Sequence, residues 1–148
     1  MTLDEFRRID AEARRSTPKL FEFGASDKTA TPEMLEKVEA ELGRALPASF
    51  RGFLGAYGGG EFGLVTVFSA DSESEWFLPK KAAEFRAYLP PELTPFSDDF
   101  AGGVYAFKAD TAGVLEDRVW CWSTDEGAKP THFADALEYI ARYAFRPA

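Results

Sequence analysis

Residues 46–60 read LPASFRGFLGAYGGG, and within them a helical spacing of apolar residues gives way to a run of glycines. The stripe at positions i, i+3, i+4 and i+7 is formed by Phe50, Phe53, Leu54 and Tyr57. This spacing predicts a helix that buries one aromatic face in a core. The glycines at 58–60 are typical of a helix end, because glycine adopts the left-handed backbone conformation there at little cost. We therefore expect the helical part of the chain to end at these glycines.

Two more helices are predicted upstream. The first lies within residues 1–16, and its apolar face consists of Leu3, Phe6, Ile9 and Ala13. The second begins after Thr31, whose hydroxyl suits a helix cap, and Pro32 suits the first helical position. Gly43 is well placed to end it.

Downstream of the glycines, β-branched and aromatic runs are bounded by turn-forming residues, which is typical of strands. Strands are predicted at residues 64–68, 75–78, 104–108 and 119–123. Helices are predicted at 80–89 and over 133–141, the latter with Thr131 as its cap. This order predicts an α+β fold with a central antiparallel sheet of about four or more strands flanked by helices. No linker or repeat interrupts the pattern, so residues 1–148 are expected to form a single domain.

The composition favours a protein partner over a nucleic acid. The chain has 148 residues, of which 45% are hydrophobic, enough to bury a core without a disulfide or a metal. Its net charge is −8, and the excess lies in residues 52–148, which hold 15 acidic and 8 basic side chains. Such a surface repels phosphate backbones and attracts basic proteins.

The N-terminal sequence MTLDEFRRID contains acidic residues and lacks the apolar stretch of a secretory signal. No apolar run reaches the roughly 18 residues that a membrane-spanning helix needs. Cys121 is the single cysteine, so no internal disulfide can form. We therefore expect a cytoplasmic protein with no membrane partner. Cys121, between Trp120 and Trp122 in a predicted strand, is expected to be buried in the core.

Residues 58–63, GGGEFG, satisfy the G-x-G-x-x-G pattern of dinucleotide-binding loops. That pattern requires a strand before it and a helix after it, so that the helix N-terminus faces the pyrophosphate. Here a helix precedes and strands follow, and Glu61 would place a negative charge beside the phosphates. We expect a helix end and a tight turn instead. His132 and Cys121 do not form a ligand spacing for zinc, so no metal or other cofactor is expected.

Paired carboxylates are the remaining candidates for catalysis. They occur at Asp98-Asp99, Glu116-Asp117 and Asp125-Glu126. Acid–base pairs need a separation of several ångströms, which adjacency in sequence does not establish. The chain contains no G-x-S-x-G, phosphate-loop or H-E-x-x-H motif. An enzyme is therefore not expected, and a hydrolase that uses the acid pairs stays a remote alternative.

A run of acids precedes a large aromatic at residues 71–76, DSESEW. An exposed tryptophan within an acidic surround is typical of a protein interface, in which the ring anchors the partner and the charges form the rim. Whether Trp76 is exposed or in the core is left open by the sequence. The residues predicted to bind a partner are Asp71, Glu73, Glu75, Trp76, Asp98 and Asp99.

Three segments resemble the SMI1/KNR4 domain, also called the SUKH superfamily, in the order that this family shows. The first is ELGRALPASF at residues 41–50 with the glycines at 58–60. The second is PFSDD at 95–99, and the third is THFADAL at 131–137, which resembles the closing helix of the family. Together the resemblance covers about residues 31–143.

The resemblance implies an α+β fold with a central antiparallel sheet and no catalytic activity. Many bacterial members are immunity proteins that neutralise a polymorphic toxin, such as a nuclease, by direct binding. The resemblance therefore predicts a non-catalytic protein-binding domain whose partner is a basic toxin domain. A regulatory or scaffold module with another protein partner is the alternative, because a shared fold does not fix a function.

Overall fold

The computed structural model describes residues 1–22 and 26–145. Within these residues one antiparallel sheet holds six strands in the order in which they follow along the chain. The strands are β1 (Gly60–Phe62), β2 (Val65–Val67), β3 (Leu93–Asp98), β4 (Val104–Ala109), β5 (Leu115–Ser123) and β6 (Gly127–Pro130). Each strand pairs with the next, so the sheet is a meander. The central antiparallel sheet predicted from the sequence is confirmed.

Five helices accompany the sheet in the described part of the chain. They are α1 (Leu3–Ser16), α2 (Pro32–Leu42), α3 (Ala48–Tyr57), α4 (Leu78–Phe85) and α5 (Ala136–Ala144), with a 3₁₀ turn at Pro18–Phe21. Thr31 caps α2, and Gly43 ends it in the left-handed conformation, as predicted. The predicted cap of the last helix is wrong. Asp135 accepts the hydrogen bond from the first turn of α5, whereas the hydroxyl of Thr131 donates to the carbonyl oxygen of Val119.

Helices α1, α3 and α5 form the main core with one face of the sheet. Phe50 of α3 packs against Phe96 of β3 and Phe107 of β4, with 5.3 Å between ring centroids in each case. All three rings are fully buried. Burial of each ring contributes roughly 1.5–3 kcal/mol to the free energy of folding. The aromatic face predicted for residues 46–60 is therefore the layer that joins the helices to the sheet.

Helix α4 covers part of the opposite face. The smaller buried cluster there consists of Leu89, Leu93, Val104 and Ala106. Trp120 and Trp122 pack at its border and are half-buried. The prediction that Cys121 is buried in the core is wrong, since it too is half-buried. Its strand, β5, is paired on the outer side only with the short edge strand β6.

The strands predicted from the sequence differ from the structure at residues 75–78 and in three strands that were not predicted, β1, β3 and β6. Residues 75–78 do not form a strand, because Phe77 makes only a single parallel bridge and Leu78 already begins α4. Strand β3 is not predicted from the sequence because it contains Pro95, which cannot donate a hydrogen bond to the ladder. The register of β3 shifts directly after Pro95, where a bulge accommodates it.

Two glycines of the GGGEFG segment allow close backbone contacts. Gly58 ends α3 at φ 86°, and a Cβ atom there would collide with the carbonyl oxygen of Asp27. Gly63 has φ 55°, and a Cβ atom there would collide with the carbonyl oxygen of Ala144. A helix precedes the first of these glycines, as the sequence predicts, but strand β1 already begins at Gly60, within the segment that was expected to form a turn. These glycines therefore lie close to backbone atoms of the same chain.

Candidate protein-binding surface

Asp71, the first of the predicted partner-binding residues, is buried. Its Oδ2 accepts a hydrogen bond from the backbone nitrogen of Lys28 at 3.3 Å, and its Oδ1 accepts one from that of Glu73 at 3.1 Å. The carboxylate thereby fixes the acidic loop against the segment that precedes α2. Asp71 holds the loop in place and is not exposed to a partner.

Glu73 and Glu75 are both exposed. Glu73 Oε2 lies 3.2 Å from Lys28 Nζ, and this hydrogen bond raises the pKa of Lys28. Water screens such an exposed pair, so it contributes little to stability. Glu73 therefore faces a cation of its own chain, and Glu75 lies exposed beside Trp76.

Trp76 is half-buried, which answers the question that the sequence leaves open. Its ring meets that of Phe100 edge to face, with 6.1 Å between the centroids. Lys81 Nζ lies 4.9 Å from the centroid of the Trp76 ring. Through the contact with Phe100, the structure brings together the two segments predicted separately, 71–76 and 98–99.

The turn after β3 is built by its two aspartates. Asp98 Oδ1 accepts a hydrogen bond from the backbone nitrogen of Phe100 at 2.8 Å. Asp99 Oδ1 accepts two more at 2.8 Å, from the backbone nitrogens of Ala101 and Gly103. Asp98 is half-buried and Asp99 is exposed. Each carboxylate thus lies at the surface with its charge, and its Oδ1 atom holds the backbone of the turn through these hydrogen bonds.

Phe100 combines an unfavourable backbone conformation with an exposed side chain. Its backbone is left-handed, with φ 57°, and 67% of the residue is exposed. That conformation costs a residue other than glycine roughly 1–2 kcal/mol. An aromatic ring held at the surface in this way contributes little to the core, and such rings are frequent anchors of protein interfaces.

Phe100 is the functional candidate that the sequence predictions miss. Its signal is present at residues 98–103, DDFAGG, where one aromatic stands between turn-forming aspartates and glycines. Turns of that composition lie at the surface, so their aromatic side chain is exposed. Leu64, in the turn between β1 and β2, is likewise 59% exposed.

A pocket with a volume of about 170 Å³ opens beside Phe100. Its other principal lining residues are Leu64, Asp98, Asp99, Tyr105, Tyr139 and Tyr143. Tyr139 is fully buried, and its hydroxyl lies 2.8 Å from Ser97 Oγ. Ser97 Oγ in turn donates to the carbonyl oxygen of Thr66 at 2.7 Å. The tyrosine at the base of the pocket is therefore fixed by the sheet.

Two tyrosines of this pocket, Tyr105 and Tyr139, are neutral at physiological pH. Burial raises the pKa of Tyr105 to about 12 and also raises the pKa of Tyr139. Their rings therefore present uncharged aromatic surface. The negative charge at the pocket comes from Asp98 and Asp99.

We call Leu64, Trp76, Asp98, Asp99 and Phe100 the acidic aromatic surface. Across residues 1–22 and 26–145, no lysine, arginine or histidine nitrogen lies within ion-pair distance of either aspartate. The surface therefore combines one exposed and one half-buried aromatic ring with negative charge that the described chain does not neutralise.

The same aspartates were the first candidates for an acid-pair hydrolase. Each accepts hydrogen bonds from backbone nitrogens of its own turn, which is the common role of aspartate in turns. Among the described residues, no group of three or more His, Cys, Asp or Glu side chains could hold a metal ion. The hydrolase alternative therefore gains no support from this geometry.

The model of the SMI1 / KNR4 family (SUKH-1) matches residues 29–142. The chain belongs to the SMI1/KNR4 family. The matched residues include the whole acidic aromatic surface, whereas α1 lies outside the match. Membership of the SMI1/KNR4 family confirms the resemblance found in the sequence and is consistent with an immunity-type protein-binding domain.

A solved structure has a similar fold to this SMI1/KNR4 chain. It is titled "Crystal structure of protein from Pseudomonas syringae pv. tomato", and the two share 21% sequence identity with a TM-score of 0.65. The similarity covers 97% of this chain and 98% of the other, and it concerns the fold alone. No curated protein matches the sequence. None of the described helices has the length and apolar character needed to cross a bilayer.

Proposed function

We propose that this chain is a non-catalytic immunity protein that neutralises a cognate polymorphic toxin by direct binding through the acidic aromatic surface. In this proposal residues 1–148 act as a single domain in the cytoplasm. The toxin is a basic domain such as a nuclease. Membership of the SMI1/KNR4 family supports the general class, and the geometry around Phe100 supports the place of contact.

The observation that carries the proposal is the combination found at Phe100. An aromatic ring is 67% exposed, is held at φ 57°, packs against Trp76 and stands directly after two aspartates without an ion pair in the described chain. Burial of such a ring under a partner contributes much of the energy of a typical hot spot. Its strained backbone has no evident benefit for the core.

Charge supplies the second argument. A toxin that acts on nucleic acid needs a positive surface to bind phosphates. A chain of net charge −8 attracts such a surface over long range and repels the nucleic acid itself. The same charges would therefore speed association with the toxin and cover its substrate-binding face.

The test is to measure how fast the purified chain binds the toxin domain encoded beside its gene, at low and at high ionic strength. Steering by charge predicts an association rate that falls at least about tenfold as salt rises. Toxin activity should fall in step with complex formation. An association rate that is the same in low and high salt would contradict steering, and absence of binding would contradict the immunity role. Binding to a different protein would instead favour a regulatory module.

The place of contact is tested with a matched pair of variants. Phe100→Ala removes the exposed ring of the acidic aromatic surface, and Tyr88→Ala removes a ring that is 64% exposed after α4. Phe100→Ala should weaken toxin binding at least about tenfold, because it removes a buried anchor of the complex. Tyr88→Ala should leave the affinity unchanged. Equal effects of the two substitutions would place the contact elsewhere.

A further inference from the structure

The pocket beside Phe100 is too small for a cofactor or a drug-sized ligand. Its volume is about 170 Å³. Sites for such ligands usually measure about 300–1,000 Å³. One water molecule takes up roughly 30 Å³ in the liquid, so the pocket holds several waters or a single amino acid side chain. A side chain of a protein partner is thus the occupant that its size fits.

The walls of the pocket favour a side chain with a long apolar stem and a positive end. Tyr105, Tyr139 and Tyr143 form a contiguous aromatic lining, with ring centroids 4.4 Å apart for the first two and 5.4 Å apart for the last two. Leu64 adds an apolar edge, and aromatic faces attract cations. Carboxylates at the mouth suit an ammonium or a guanidinium group.

The polar groups at the base of the pocket already have hydrogen-bond partners within the chain. The hydroxyl of Tyr139 is engaged with Ser97, and Ser97 is engaged with the sheet. Within the described part of the chain no buried side-chain nitrogen or oxygen lacks a hydrogen-bond partner. The uncompensated feature of the pocket is therefore the charge of Asp98 and Asp99.

The described chain does not place a cation of its own in this pocket. Lysine and arginine are not among its described lining residues. Arg142 lies 5.6 Å from the centroid of the Tyr143 ring, but it does not line the pocket. We propose that this tyrosine pocket receives one lysine or arginine side chain of the protein partner, held between the aromatic rings and the carboxylates of Asp98 and Asp99.

This inference refines the proposed function, and it is tested without the toxin. The probes are N-acetyl-arginine amide and N-acetyl-lysine amide, with N-acetyl-citrulline amide and N-acetyl-norleucine amide as uncharged counterparts of similar shape. Each is titrated into the full-length chain while backbone amide signals are followed by NMR. The cationic probes should bind with Kd of the order of millimolar and shift the signals of Leu64, Asp99, Tyr105 and Tyr143 together. The uncharged probes should bind at least about tenfold more weakly.

The variant Asp98→Asn/Asp99→Asn removes the charge and keeps the side-chain oxygen that accepts the backbone hydrogen bonds of the turn. It should weaken binding of the cationic probes at least about tenfold. The control Glu116→Gln/Asp117→Asn removes two exposed charges from β5 and should leave binding unchanged. Tyr143→Leu keeps an apolar wall but removes a ring, and it should weaken the cationic probes more than the uncharged ones.

The outcomes separate this inference from the proposed function. Equal binding of charged and uncharged probes, or cationic binding that survives Asp98→Asn/Asp99→Asn in a folded variant, would overturn the cation pocket. The immunity proposal would then still stand if the toxin bound. Cationic probes that bind as described while the adjacent toxin does not bind would keep the pocket and overturn the toxin as its partner.

Discussion

Two aromatic regions lie on opposite faces of the same sheet, and they differ in the charged groups that the described chain places beside the rings. On the face covered in part by α4, Lys108 Nζ lies 4.3 Å from the centroid of the Trp120 ring. On the other face, the tilted rings of Tyr105 and Tyr139 line a pocket together with Asp98 and Asp99, and no described lysine or arginine lines it. The first region includes a cation over a ring, whereas the described lining of the second consists of aromatic rings, apolar residues and carboxylates.

A cation over a ring of the same chain and a carboxylate without an ion pair have different consequences. A cation placed over a ring by the chain itself stabilises the monomer. Among the described residues no cation pairs with Asp98 or Asp99, and Phe100 adds backbone strain to that surface. Proteins commonly keep such strain where function requires it. Substitutions at the exposed residues of this surface should therefore change partner binding, whereas substitution of the fully buried Tyr139 should change stability.

The largest effect on stability is expected at the base of the pocket. Tyr139→Ala should lower the free energy of unfolding by about 3–5 kcal/mol, because it leaves a cavity where a fully buried ring stood. Trp120→Ala, at a half-buried ring on the opposite face, should lower it by only about 1–2 kcal/mol. Urea unfolding followed by circular dichroism measures both values. Equal losses would mean that the two faces are buried to the same extent.

A smaller loss is expected when only the hydroxyl of this ring is removed. Tyr139→Phe deletes the hydrogen bond to Ser97 but leaves Ser97 Oγ bonded to the carbonyl oxygen of Thr66. The free energy of unfolding should fall by about 0.5–1.5 kcal/mol. Tyr88→Phe, at an exposed ring, serves as the control and should have no effect. A loss as large as that of Tyr139→Ala would show that the hydroxyl, not the ring, fixes the pocket.

High pH should lower the free energy of unfolding through Tyr105. This third effect is weaker because Tyr105 is only half-buried. Its pKa is raised from 10.0 to about 12 by burial, so the unfolded chain loses this proton first as pH rises. Stability should therefore fall between pH 10 and about 12, and below this interval the phenol has no titration effect. The free energy of unfolding of the wild type minus that of Tyr105→Phe should decline over this interval. A constant difference between the two proteins would contradict the raised pKa.

The smallest effect is expected at Phe100, although a whole aromatic side chain is removed. Phe100→Gly relieves a left-handed backbone that costs roughly 1–2 kcal/mol. It also loses the contact with Trp76 and increases the entropy of the unfolded chain, which together offset the gain. The free energy of unfolding should change by less than about 0.5 kcal/mol while toxin binding is lost. Thermal unfolding checks this, and a strongly destabilised variant would make Phe100 a core residue.

Local signals in the sequence predicted much of the fold. Thr31 and Gly43 cap the two ends of α2 as predicted, because helix caps depend on neighbouring residues alone. Strand β3 was missed since Pro95 is tolerated only through a bulge that the partner strand β4 accommodates. Such compensation depends on pairing between distant residues, and no short window of sequence contains it.

The candidate site was predicted in part. Trp76, Asp98 and Asp99 were selected for their chemistry, and the structure brings them together. Asp71 was selected for the same reason but is buried, because its carboxylate is used by backbone nitrogens 43 residues and two residues away. Phe100 was missed because its exposure follows from the geometry of the turn.

The place of partner binding is tested most directly by the Kd of the adjacent toxin domain for three proteins: wild type, Asp98→Asn/Asp99→Asn and Glu116→Gln/Asp117→Asn. Both variants lose two negative charges, so they share any effect of net charge. If the partner binds at the acidic aromatic surface, binding should be at least about tenfold weaker for the first variant and change within about twofold for the second. Equal affinities of the two variants would contradict a partner bound at the acidic aromatic surface.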